Sequence, residues 1–209
     1  MLNTMNKLDS GGHALIVCIG DSITEQNYHL HGKLNYVGQL TERLMTRYNR
    51  RTMVVNAGKS GDTTGGILAR LTRDALRFQP DLVTVMIGMN DSAGERMPLG
   101  EFRENLEQIV NRIREAGSEA LLLTQNMLDY QIREEAVETR RLYPRYADAV
   151  REAASACSVP LCDVYRRWEE ATGGQTNAHL MLMHDSIHPG EQGHVLIYEA
   201  LCGTLNISE

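Results

Sequence analysis

Four short blocks carry the residues of this chain that could act together on a substrate. Gly20-Asp21-Ser22-Ile23-Thr24 places a serine directly behind a continuous apolar run. A hydroxyl held there with little clutter around it suits a nucleophile, although serine in such a loop also caps helices. Asn56-Ala57-Gly58-Lys59-Ser60-Gly61 offers Gly58, whose N–H can point at a ligand or merely shape a tight turn. Gly88-Met89-Asn90-Asp91 offers the Asn90 amide, a donor that in other settings bonds its own backbone. In Asp185-Ser186-Ile187-His188-Pro189, Asp185 can accept from His188 Nδ1–H and leave Nε2 as a base. Singly, each block has a plain structural use. Together they supply nucleophile, oxyanion donors, base and orienter, the parts of serine acyl transfer.

Something must bring residues 22 and 188 to one place. Ala14–Ile19 is apolar without alternation, as a strand buried on both faces requires. Four more stretches read as strands: Thr52–Ala57, Asp81–Gly88, Glu119–Gln125 and Pro160–Tyr165. Between them lie helical patterns. Asn35–Tyr48 repeats Tyr36, Val37, Leu40, Leu44 and Tyr48, and Ile67 to Phe78 stops at Pro80. The run after Pro98 repeats Leu99, Phe102, Leu106, Ile109, Val110 and Ile113, and Gly117 ends it. Arg140–Ala156, with Pro144 delaying its start, and Gly190–Leu201 complete the set. Asn126–Thr139 is polar and poorly periodic and reads as a long connection forming part of a substrate wall.

Strand, loop and helix in alternation predict a three-layer α/β/α domain on a five-stranded parallel sheet. Ligands in such folds bind at the carboxyl ends of the strands; three of the blocks follow the first three strands, and the topology can bring the Asp185–Pro189 loop to the same edge. Residues 1–12 read as a flexible tail and residues 13–209 as one domain.

The 209 residues are 42% hydrophobic and 23% charged, ordinary for a globular chain. With 21 Lys+Arg against 27 Asp+Glu the net charge is −6, so the basic surplus of a nucleic-acid partner is missing. The longest apolar runs fall far short of the ~20 residues that span a bilayer. The polar Met1–Gly12 has no secretory apolar region, which predicts a cytoplasmic chain. The sequence is compatible with a homo-oligomer. Cys18, Cys157, Cys162 and Cys202 lack C-x-x-C spacing and read as reduced thiols. His29 with His31, or His184 with His188, lacks the surrounding ligands of a zinc site. No G-x-S-x-G, Walker or dinucleotide loop occurs, so neither a metal nor a cofactor is expected. Trp168 reads as buried against the sheet, with lining a sugar site as the alternative.

On its four ordered blocks the sequence resembles the SGNH hydrolases, or GDSL-type esterases. The matches are G-D-S-I-T, N-x-G-x-S-G, G-x-N-D and D-x-x-H-P, spread over nearly the whole chain. The resemblance implies a flavodoxin-like fold, Ser22 as nucleophile, His188 as base and Asp185 as its orienter. It implies an oxyanion hole built from Ser22 N–H, Gly58 N–H and the Asn90 amide. Val54–Gly61 and Met86–Asp91 look most like the intracellular carbohydrate acetyl-esterase branch. The implied activity is hydrolysis of small acetyl esters, with lysophospholipase or thioesterase as the alternative. A catalytically silent sugar-binding domain is the rival from another class. The residues that bind the substrate's alcohol are not specified by the sequence.

Overall fold

The computed structural model describes residues 2–25 and 30–207. Five parallel strands, β1 (Ala14–Gly20), β2 (Thr52–Gly58), β3 (Leu82–Met86), β4 (Glu119–Leu123) and β5 (Leu161–Cys162), form one sheet in the order β2-β1-β3-β4-β5. Central β1 and β3 are almost wholly buried, whereas β2 lies at an edge and leaves Met53 64% exposed. Helices α4 (Thr64–Asp74), α6 (Leu99–Glu115) and α8 (Tyr143–Ala156) pack side by side on one face. Helices α3 (Tyr36–Tyr48), α9 (Val164–Thr172) and α11 (Glu191–Leu205) form the other layer, and α10 (Thr176–Leu182) packs against α9 and α11. The short helices α2 (Ser22–Glu25), α5 (Met89–Ser92) and α7 (Glu135–Glu138) lie in connections. No helix among the described residues is long and apolar enough to cross a membrane.

Three expectations need correction. The N-terminal residues are not a flexible tail: α1 (Asn3–Asp9) buries Leu2, Met5 and Leu8, an i, i+3, i+6 stripe. Its orphan amides are satisfied by Glu119 at the start of β4, which accepts from Asn3 N and Thr4 N at 2.7 Å each. The fifth strand is two residues long because the Asp163 side chain accepts from Arg166 N and starts α9, so Val164 and Tyr165 are helical. The 126–139 connection is not irregular and exposed throughout: it carries α7, and Asn126, Leu128, Asp129 and Val137 are buried. Trp168 is fully buried in the core, away from solvent.

Candidate active site

Gly20 is in register with Gly58 on one side and Met86 on the other, so the first three loops leave one edge of the sheet together. Asp21 follows β1 and caps α2: its Oδ1 accepts from Ile23 N at 3.0 Å, and its carbonyl accepts from Glu25 N at 2.9 Å. Because Asp21 takes the capping role, the Ser22 hydroxyl is left for another partner. That partner is His188, with Nε2 lying 2.9 Å from Ser22 Oγ.

His188 comes from the segment after α10. This segment folds back on itself: Met183 bridges Pro189, and His184 N donates to the His188 carbonyl at 2.8 Å. Asp185 Oδ1 accepts from Ile187 N at 2.8 Å and His188 N at 2.6 Å, and Oδ2 lies 2.9 Å from His188 Nδ1. Partial burial pushes this carboxyl up, but the three donors outweigh it and hold Asp185 well below the ordinary carboxylate range. An ionised Asp185 accepts a hydrogen bond from Nδ1–H and so keeps the ring proton there, and Nε2 presents its lone pair to Ser22 O–H. Buried Asn126 steadies the loop from beneath by donating to the Ile187 carbonyl at 3.1 Å.

The donors around Ser22 differ in part from expectation. Ser22 is the first residue of α2, where an N–H has no acceptor within the helix. Asn90 Nδ2 donates to Asp62 O at 3.1 Å and Asp21 Oδ2 at 3.2 Å, both at the long end of the range. Gly58 does not offer a free N–H, since Asn56 Oδ1 accepts it at 2.9 Å. Close approach explains this glycine: a Cβ there would lie 2.2 Å from Glu25 N. The glycine with the left-handed backbone is Gly61, at φ +75°, and no acceptor among the described residues takes its N–H.

Buried polar residues that sequence reasoning passed over hold this edge together. Arg70 donates to Ala57 O at 2.7 Å, Gly20 O at 3.0 Å and Asp62 Oδ2 at 2.6 Å, tying the ends of β1 and β2 to the following loop. Gln125 Nε2 donates to Asp21 Oδ2 at 2.9 Å while its Oε1 accepts from Met89 N at 2.7 Å. Burial pushes the Asp21 carboxyl up to about 6, against the lowering effect of its Gln125 and Ile23 bonds. Gln125 stands just beyond β4 with partners 36 and 104 positions away, and Arg70, inside α4, reaches acceptors 8 to 50 positions away.

A cavity of about 470 Å³ lined by Arg96, Glu134, Glu135 and Arg140 adjoins Asn90, whose Oδ1 accepts from Arg140 Nη2 at 3.4 Å. The His31 and His184 rings stand 5.7 Å apart, while His29 lies outside the described residues. Among the described residues, no group of three or more His, Cys, Asp or Glu could hold a metal ion.

The model of the GDSL-like lipase/acylhydrolase family matches residues 18–196, from within β1 into α11. The chain belongs to this family. As a GDSL-like acylhydrolase it is 26% identical over 212 residues to an acetylxylan esterase of Geobacillus stearothermophilus, covering 93% of this chain and 94% of that protein. The crystal structure of that esterase, Axe2, shares the fold with a TM-score of 0.75 at 24% identity, over 93% and 95% of the two chains. LAE5, an α/β hydrolase from the metagenome of Lake Arreo, superposes with a TM-score of 0.77 at 28% identity, over 94% and 96%. The thioesterase 1/protease 1/lysophospholipase L1 of Escherichia coli is 30% identical over 146 residues, 70% of this chain and 64% of that protein.

Proposed function

We propose that this GDSL-like hydrolase is a serine esterase that cleaves short acyl esters, chiefly acetyl esters of carbohydrates. The observation that carries the reading is the continuous path from Ser22 Oγ through His188 to Asp185, with 2.9 Å at each step. Ser22 Oγ attacks the ester carbonyl carbon as its proton passes to His188 Nε2. Asp185 steadies the imidazolium that forms. The tetrahedral intermediate collapses, and the sugar alkoxide leaves with the proton held by His188. Water then gives a proton to His188 Nε2 and attacks the acyl-Ser22 carbonyl; the C–Oγ bond breaks, Ser22 Oγ takes the proton back from His188, and the acid is released.

The negative oxygen of each intermediate lies against Ser22 N–H and the Asn90 amide, one of whose N–H groups turns to it from its long bond to Asp62 O. Gly61 N–H takes the third position, in place of the engaged Gly58 N–H. Such donors act most strongly where charge appears only in the transition state.

Acyl length separates the readings. Each buried methylene contributes about 0.8 kcal/mol, so a site built for long chains gains steeply along a series. Nitrophenyl acetate, butyrate, octanoate and dodecanoate below their micelle limits provide that series. The expected kcat/KM is highest for acetate. A maximum at octanoate or beyond transfers the reading to a thioesterase or lysophospholipase, which the Escherichia coli relative favours. Absence of turnover on every ester leaves a silent sugar-binding domain. Acetylated xylo-oligosaccharides then test the alcohol, following the name of the Geobacillus relative.

A further inference from the structure

A second cavity, of about 230 Å³, opens where the segment after β4 meets the turn between α9 and α10. Neither Ser22 nor His188 lines it. Its walls include Met127, Tyr130 and Tyr165, and of the polar residues that line it Asp129 and His179 are the buried ones, with Gln131, Gln175 and Thr176 toward its rim. His179 is 1% exposed, and its Nδ1 accepts from Trp168 Nε1 at 3.1 Å. The ring proton is therefore on Nε2, and that N–H is buried without a hydrogen-bond partner among the described residues. Asp129 is also buried: Oδ1 accepts from Gln131 N at 2.9 Å, while Oδ2 has no partner there. Burial keeps His179 neutral more strongly than the Asp129 charge draws a proton to it.

The pair selects its ligand by elimination. An alkyl chain would strand both the N–H and the carboxylate oxygen. An anion would meet the Asp129 charge, and a cation would leave the His179 donor without an acceptor. A neutral hydroxyl satisfies both, accepting from Nε2–H and donating to Oδ2. Tyrosine rings beside such a pair suit the flat apolar face of a sugar ring.

We propose that this cavity is a carbohydrate subsite that seats a neutral sugar ring through His179 Nε2–H and Asp129 Oδ2, flanked by Tyr130 and Tyr165. The proposal rests on the esterase reading for one point only, that the ring belongs to the acetylated oligosaccharide. Chain connections put the two regions next to each other: α10 carries His179 and ends at Leu182, just before the Asp185–His188 loop. Met127 follows Asn126, whose amide holds the Ile187 carbonyl.

The chain has a single tryptophan, and Trp168 is bonded to the proposed ligand-binding histidine. Its emission therefore reports on this cavity. The full-length Ser22→Ala variant is titrated with unacetylated xylobiose, cellobiose and mannobiose, and separately with toluene as an apolar probe. A saturable change with at least one disaccharide and none with toluene is expected. Asp129→Leu, checked for folding by circular dichroism, is expected to weaken the sugar at least about tenfold. A response to toluene alone, no response to any disaccharide, or unchanged affinity in folded Asp129→Leu overturns the subsite. Turnover of nitrophenyl acetate by the wild type is read separately. Hydrolysis without sugar binding removes the subsite alone, and sugar binding without hydrolysis of any ester removes the esterase reading alone.

Discussion

Asn90 Nδ2 donates to Asp21 Oδ2 over 3.2 Å, so the residue before the candidate nucleophile also orients a candidate oxyanion donor. The same carboxylate oxygen accepts from Gln125 at 2.9 Å, which links the loops after β1 and β3 to the end of β4.

Removing the amide tests the first half of that relationship. Asn90→Ala is expected to lower kcat by roughly 10²–10³-fold, with a much smaller change in KM, because the oxyanion exists only after attack. Steady-state kinetics on nitrophenyl acetate measure the split. A raised KM at constant kcat would make Asn90 a contact of the bound ester instead.

Asp21 sets a pH dependence of its own. Its ionised carboxylate accepts from Ile23, Gln125 and Asn90, and burial brings its titration up to about 6. As pH falls through about 6 it gains a proton, an acceptor is lost, and kcat is expected to fall. Asp21→Asn sets an amide donor among these donors at every pH. Its kcat at neutral pH is expected to drop roughly 10–100-fold through misplacement of Asn90. Wild-type kcat and an unchanged acid limb in this variant would show that the link positions nothing.

Asp91 gives a stability prediction. Burial pushes its carboxyl up to about 6 against its bonds from Thr64, while an unfolded Asp titrates near ~3.9. Between these values the native state binds more protons than the unfolded state, so stability falls as pH rises from about 4 to about 6. Asp91→Asn removes the titration. Its urea midpoint is expected to vary less over that window and to exceed the wild-type midpoint at pH 7. A midpoint that falls as steeply with rising pH in Asp91→Asn as in the wild type would contradict this assignment.

Arg70 and Asp62 form an ion pair at 2.6 Å with side chains only 5% and 4% exposed. Arg70→Ala leaves the Asp62 carboxylate buried and alone, at a cost of about 3–5 kcal/mol. It also frees the Gly20 and Ala57 carbonyls. Urea unfolding measures the loss. Arg70→Met combined with Asp62→Leu is expected to regain a good part of it, because no stranded charge remains.

The strands and most long helices were legible because their apolar spacing is a local property, as in Ala14–Gly20 and Leu99–Glu115. The Ser22, His188 and Asp185 set was legible because each residue type sits at a strand end or beside a restricting proline. What could not be read locally was decided by distant partners. Glu119 turns residues 3–9 into a docked helix from 115 positions away. Arg70, Gln125 and Asn126 look like ordinary polar residues until the sheet edge gathers their acceptors. Gly58 and Gly61 are three residues apart in one motif, and only the course of Glu25 and the Asn56 side chain shows which N–H is free.

The proposed nucleophile, Ser22, admits the most direct test. Wild-type protein treated with a fluorophosphonate is digested and the labelled peptide sequenced by mass spectrometry, with Ser22→Ala and His188→Ala run in parallel. The account requires a single adduct on Ser22 Oγ, strongly slowed labelling in His188→Ala, and neither label nor ester turnover in Ser22→Ala. An adduct on another residue, or wild-type turnover by folded Ser22→Ala, would contradict it.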